Sequence, residues 1–248
     1  MERLIPLEGC SNFRDLGGYP TRDGRRLRWR VLFRSDALHA LSAADVARLR
    51  GEIGLGDVID LRSSGELRAD GRGRLEGEAL RFHHLPLFDG GFAGGAAAAP
   101  ARGLADLYFQ MVEFAKAPIA RVIETLADAP GPAVYHCAAG KDRTGVVSAV
   151  LLGLFGVPED FVVADYAATQ ENLDRIVERL MASRSYREVL SALPPETLHA
   201  APDTMLGLLQ RLTGRYGSVR GYVRSTGVSD ACIARLESRL LEPGGGGP

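Results

Sequence analysis

Hydrophobic and polar positions along this chain change period several times. "DVIDLR" (57–62) is a short apolar run that reads as a buried strand, and "LRFHHLPL" (80–87) and "PAVYHC" (132–137) read as further strands. Between and after them, apolar residues fall at helical spacing over 103–116, 118–128 and 143–156. Ser42, with Asp45 three positions on, marks a helix start in the manner of a capping box. Residues 18–34 alternate instead, with Leu27, Trp29, Val31 and Phe33 set against arginines, and Asp23-Gly24 supplies a turn. That pattern predicts a β-hairpin with one apolar and one basic face. The basic face is read as a solvated sheet surface, in preference to a docking site for a phosphorylated partner.

Beyond Pro158 the chain reads as mostly helical. Leu173, Ile176, Val177, Leu180 and Met181 share one helical face, expected to pack against the rest of the protein. Residues 89–101, "DGGFAGGAAAAPA", predict a mobile loop, and 243–248, "PGGGGP", a disordered tail. Strands alternating with helices, followed by a helical third, predict an α/β fold: a central, mostly parallel sheet flanked by helices, with a helical C-terminal elaboration. One domain over 1–242 is expected.

Composition adds few constraints. The 248 residues are 46% hydrophobic and 25% charged, ordinary for a globular protein. A formal net charge of −1 gives no support to bulk nucleic-acid binding. Cys10, Cys137 and Cys232 are too few and too scattered for a disulfide framework, which favours a reducing, cytoplasmic setting. An unusual export route would leave the same sequence. The N-terminus "MERLIPLEGC" lacks the apolar core of a signal peptide, and no window has the apolar length of a membrane span. The oligomeric state is not legible. Arginine carries almost all the positive charge, and the only lysines are Lys116 and Lys141.

The densest chemistry lies in "VYHCAAGKDRTGVV", residues 134–147, between a strand and a helix. Ala138, Ala139 and Gly140 allow a tight loop whose amides can converge, and the following helix adds its own unpaired N–H groups. Such a nest is an anion site. Cys137 would form its floor, held as a thiolate by these dipoles and by cationic neighbours. Arg143 presents a planar fork to two oxygens of a phosphate, with Lys141 and Asp142 also in the cradle. Thr144 can offer its hydroxyl to the sulfur. His136 is expected to bond backbone and steady Cys137. A metal site at His136 and Cys137 lacks partners at ligand spacing, and "GKDRTG" lacks the spacer and first glycine of a Walker A loop. No cofactor is expected.

"HCAAGKDRTG" resembles the Cys-x5-Arg signature of the protein tyrosine phosphatases, in particular the bacterial and fungal branch that includes the mycobacterial protein tyrosine phosphatase B group. "NFRDLGGY" (12–19), "LFRSDAL" (32–38), "VIDLRSSGE" (58–66), "DYAATQENL" (165–173) and "YGSVRGYVRSTGVSD" (216–230) are similar to other motifs of that branch, so the resemblance spans nearly the whole chain. It implies hydrolysis of phosphotyrosine, phosphoserine or phosphothreonine, or of phosphoinositides, through a phosphocysteine. It also implies a lid built from helices of about 159–200, with ordinary core helices as the alternative.

A general acid is required for the leaving oxygen. No Trp-Pro-Asp sequence occurs, and Asp60, Asp142 and Asp89 are the candidates. The resemblance points to Asp60 and Asp142, with Asp60 ranked first. Asp60 has the alternative role of pairing with Arg62 or Arg143. Lys141 is expected to favour substrates with more than one phosphate, or else to pair with a carboxylate. Arg14 with Asp15, and likewise Arg34 and Ser35, are expected to be structural. The competing functions are a rhodanese-type sulfurtransferase and a silent phosphate-binding module.

Overall fold

The structure is a computed structural model that describes residues 2–89, 103–183, 186, 187, 190 and 195–244. Most of the Gly/Ala-rich stretch and the last four residues lie outside these. The central sheet contains β1 (Arg14–Asp15), β3 (Leu32–Ser35), β4 (Asp57–Asp60), β5 (Arg81–His84) and β6 (Ala133–His136), in the order β1-β3-β6-β4-β5. The last four of these in space run parallel, and only β1 is antiparallel. Strand β6, late in the chain, is inserted between β3 and β4. Their register aligns Ser35, His136 and Asp60 side by side at the C-terminal ends. Crevices at such ends are where open α/β sheets hold ligands.

Period two survives inside the fully buried strands β3, β4 and β6. Leu32, Ile59, Ala133 and Tyr135 join one apolar cluster, while Phe33, Val58 and Val134 join the other. The smaller cluster is covered by the N-terminal segment and α1 (Ala43–Gly51), which the Ser42–Asp45 capping box opens. The larger one is covered by α3 (Leu104–Phe114), α4 (Lys116–Asp128), α5 (Asp142–Leu154), α6 (Glu159–Ala167), α8 (Pro202–Tyr216), α9 (Val219–Ser225) and α10 (Asp230–Leu240). Helix α5 is buried on every side from Thr144 to Leu152, as expected of a helix that is apolar all round. Two further helices, α2 (Ser64–Asp70) and α7 (Leu173–Ala182), flank the strand ends.

The expected hairpin over 18–34 is only half formed. The Asp23-Gly24 turn is present, with Gly24 at φ 84° and a bridge from Pro20 to Arg26. However, β2 (Arg25–Leu27) pairs with β7 (Leu241–Pro243) in a separate two-stranded sheet, and Leu32–Ser35 belongs to the central one. Arg30, at φ 64°, turns the chain between them, and its N–H donates to the Asp15 carboxylate at 2.7 Å. Arg26 pairs with Glu242, and Arg34 is wholly buried, so the "basic face" is not one surface. Of the stretch expected as a tail, Pro243 is in β7 and the Gly244 N–H reaches the Gly24 carbonyl, and 245–248 lie outside the described residues.

On α7, Leu173, Ile176 and Leu180 are buried as expected, but Met181 is exposed. Ile176 and Leu180 pack on Ala138, so this helix lies against the loop that follows β6.

Candidate active site

The loop from Cys137 to Lys141 joins β6 to α5. The first helical bond of α5 runs from the Gly145 N–H to the Lys141 carbonyl at 2.8 Å. The amides of Asp142, Arg143 and Thr144 therefore have no partner within the helix. The loop carbonyls are held from outside. Ala37 N–H donates to the Ala138 carbonyl at 3.0 Å. Asn12 Nδ2 donates to those of Ala139 and Gly140 at 3.4 and 3.3 Å, and Arg34 Nη2 to that of Gly140 at 2.7 Å. Amides whose own carbonyls are held elsewhere form an anion-binding nest where they converge. Gly140 has φ 66°, and a Cβ there would lie 2.6 Å from the Asp36 nitrogen, so no side chain fits. Cys137 is 2% exposed beneath this loop.

The clamps are themselves braced. Arg34 and Arg14 both pair with the Asp165 carboxylate of α6, and the Tyr19 hydroxyl donates to it at 3.2 Å. Burial opposes ionisation of Asp165, but the two guanidiniums bring its pKa down to about 2. The expected Arg14–Asp15 pair is thus replaced by Arg14–Asp165. Asp15 instead accepts the N–H groups of Gly17 and Arg30. Ser35 donates its hydroxyl to Asp36, whose carboxylate also accepts the Ser11 and Asn12 amides and pairs with Arg179 of α7.

Arg143 makes a two-pronged bond to Glu66 of α2, at 2.6 and 2.7 Å, and also donates to the Tyr186 hydroxyl at 3.2 Å. Burial alone would lower its pKa, but Glu66 and the neighbouring Cys137 raise it. Glu66 also accepts the Ser63 N–H in a capping box, so one carboxylate fixes both the start of α2 and the arginine. Among the described residues the buried Thr144 hydroxyl has no hydrogen-bond partner, so it is not bonded to the sulfur here. Lys141 Nζ donates to the Thr197 and Leu198 carbonyls at 2.5 and 3.1 Å and lies 3.3 Å from the Asp142 carboxylate, the carboxylate pairing expected as the alternative to a phosphate contact.

The three aspartates have different settings. Asp60 is fully buried, and both its oxygens are bonded by Arg62. Burial would raise its pKa, but its charged and hydrogen-bonding neighbours hold it low. His136 lies 3.8 Å from it, and burial drops the imidazole to a pKa of about 4, so this is a contact between a neutral ring and a carboxylate. His136 Nδ1 meets the Cys137 carbonyl at 3.2 Å. Asp142 is 38% exposed and accepts the Tyr108 hydroxyl at 2.5 Å. Asp89 accepts both the N–H and the hydroxyl of Ser64 at 2.8 Å, which lowers its pKa.

The model of the tyrosine phosphatase family matches residues 5–242. The chain belongs to the tyrosine phosphatase family. The triple specificity protein phosphatase PtpB of Mycobacterium tuberculosis is 31% identical, over 95% of this chain and 98% of its own. A Cupriavidus necator protein, provisionally named a tyrosine-protein phosphatase, is 30% identical over 96% of this chain and 88% of its own. Among solved structures, P. aeruginosa TpbA is 16% identical over 58% of this chain and 72% of that one, with a TM-score of 0.30.

The protein is accordingly a phosphatase of the protein-tyrosine-phosphatase type, acting on phosphorylated substrates. No helix among the described residues is long and apolar enough to cross a membrane. Among the same residues no group of His, Cys, Asp and Glu is disposed to hold a metal ion. Four residues of the candidate site escaped the sequence reading: Glu66, Asn12, Asp165 and Tyr108. Glu66 had a local signal, since Ser63-x-x-Glu is a capping box. Asn12 and Asp165 sit inside quoted motifs but meet only in three dimensions. Tyr108 had no distinguishing mark on its apolar helix.

Proposed function

We propose that this phosphatase hydrolyses phosphomonoesters through a phosphocysteine on Cys137. Arg143 and the amides of residues 138–143 form the oxyanion site, and Asp142 acts as general acid. The supporting observation is the outward capture of the carbonyls of Ala138, Ala139 and Gly140, together with the locked Arg143 fork. Donors fixed in advance need no reorganisation as charge develops, and this term usually dominates such catalysis.

In the first step the Cys137 sulfur attacks phosphorus in line. The S–P bond forms, the ester P–O bond breaks, and Asp142 gives its proton to the leaving oxygen. Water then attacks phosphorus and passes a proton to the Asp142 carboxylate. The S–P bond breaks, and the unengaged Thr144 hydroxyl can hydrogen-bond the departing sulfur. Asp142 suits this role better than Asp60 because it is partly exposed, whereas Asp60 is sealed and bound at both oxygens. Asp60 then serves to fix Arg62 and the strand end. Asp89 serves as a cap for α2.

The name of the mycobacterial relative favours breadth of substrate, and we extend this to phosphotyrosine, phosphoserine or phosphothreonine, and phosphoinositides. A cytoplasmic setting fits three cysteines that are all free and buried. The test is turnover of p-nitrophenyl phosphate, blocked by vanadate and unaffected by chelators. Cys137→Ser should fall to background while circular dichroism stays unchanged. A Cys137→Ser protein with normal turnover would end the proposal. A panel of phosphopeptides and phosphoinositides then ranks the substrates.

A further inference from the structure

We infer that Tyr108, backed by Tyr166, is a positioning residue that dictates which oxygen of Asp142 carries the catalytic proton. The inference rests on Asp142 being the acid. Tyr108 is fully buried on α3, and its hydroxyl donates to Asp142 Oδ1 at 2.5 Å. The Tyr166 hydroxyl of α6 lies 2.9 Å from that of Tyr108, and the rings meet edge to face at 6.0 Å. A phenol has one proton. Tyr108 spends it on Asp142, so Tyr166 must donate to Tyr108. The chain of donors therefore runs Tyr166 to Tyr108 to Asp142, in one direction only.

One consequence follows for the acid. Oδ1 is already engaged by Tyr108, with Lys141 Nζ 3.3 Å away, so protonation falls on Oδ2. The charged and titratable groups that act on Asp142 are Lys141 and Arg143 from its own segment, Tyr108 from α3 and Tyr166 from α6. Only the tyrosines can be stripped of their polar atom without changing a formal charge.

The same geometry gives the last residue of Arg-Thr-Gly a purpose. A Cβ on Gly145 would lie 3.0 Å from the Tyr166 ring, so glycine leaves that ring in place behind Tyr108.

The test compares kcat of the parent, Tyr108→Phe, Tyr166→Phe, Asp142→Asn and Tyr108→Phe/Asp142→Asn on phenyl phosphate and 2,4-dinitrophenyl phosphate. The poorer leaving group needs the acid more. In Tyr108→Phe the loss on phenyl phosphate should exceed that on the dinitrophenyl ester by about fivefold. Tyr166→Phe should show the same bias to a smaller degree, and it carries the test if Tyr108→Phe fails to fold. With asparagine at 142, Tyr108→Phe should add nothing. Equal loss on the two esters, or the same bias in the asparagine background, would overturn the inference while leaving the acid assignment standing. If Asp142→Asn leaves leaving-group dependence unchanged, the acid assignment itself fails and the inference falls with it.

Discussion

Glu66 holds Arg143 by both of its nitrogens while its own charge is stabilised by the same contact. Burial pulls its pKa up and the guanidinium pulls it further down. A planar fork bound in two places cannot rotate, which sets the face it offers to a phosphate. Glu66→Gln keeps the size but removes one acceptor and the charge. We expect kcat/KM on p-nitrophenyl phosphate to fall roughly 10- to 100-fold, the scale of losses from small misplacement of a catalytic group. Steady-state kinetics checks this, and an unaltered kcat/KM would mean that Arg143 is oriented by something else. Cys137 and Arg143 stand only six positions apart, so the sequence by itself pairs them. Glu66 lies 77 residues from Arg143, and a pair at that separation leaves no period in the sequence.

Among the elements, β4, β6 and α5 were readable because each lies in a largely apolar run. The 18–34 segment misled because alternation reveals two faces but not the partner strand. Its Leu27 end found the C-terminal strand, and its Phe33 end found β6. Helix α7 was legible as amphipathic, yet its contact with Ala138 was not. Lys141 ties the loop to the short 3-10 turn at 195–198 through two carbonyls, with its side chain only 5% exposed. Lys141→Ala should therefore cost about 1–3 kcal/mol, the penalty for stranding buried acceptors, and lower the melting temperature. Its kinetic effect should be alike on singly and multiply phosphorylated inositides. A loss confined to the latter would show that the ammonium swings into the cradle.

Over the whole molecule, the fold class was legible from the alternation of strands and helices, whereas the way distant segments brace the site was not. The N-terminal motif, strand β3 and helix α6 all converge on the back of one loop, through Asn12, Arg34 and Asp165. Burial also ties global stability to pH. His136 has a pKa of about 4 in the fold against 6.5 when free, so the unfolded chain takes up the proton first. Its contribution is complete above about pH 6.5 and is lost as pH falls towards 4. Asp165, brought down to about 2 from 3.8, is lost only below that range. Melting temperatures from pH 7 to 4.5 should decline in the parent and decline less in His136→Gln. Parallel curves would remove His136 as the sensor.

Arg14, Arg34 and Asp165 together place two cations and one anion in the protein interior, each at most 2% exposed. One elementary positive charge is thus left uncompensated within that trio, directly behind the loop and out of reach of dissolved counterions. Mobile ions shield surface charges over a Debye length of about 8 Å in physiological saline, but they shield sealed ones far less. The pull on an incoming dianion is therefore built into the scaffold, and it belongs to a catalyst whose grip on phosphate should weaken little in brine.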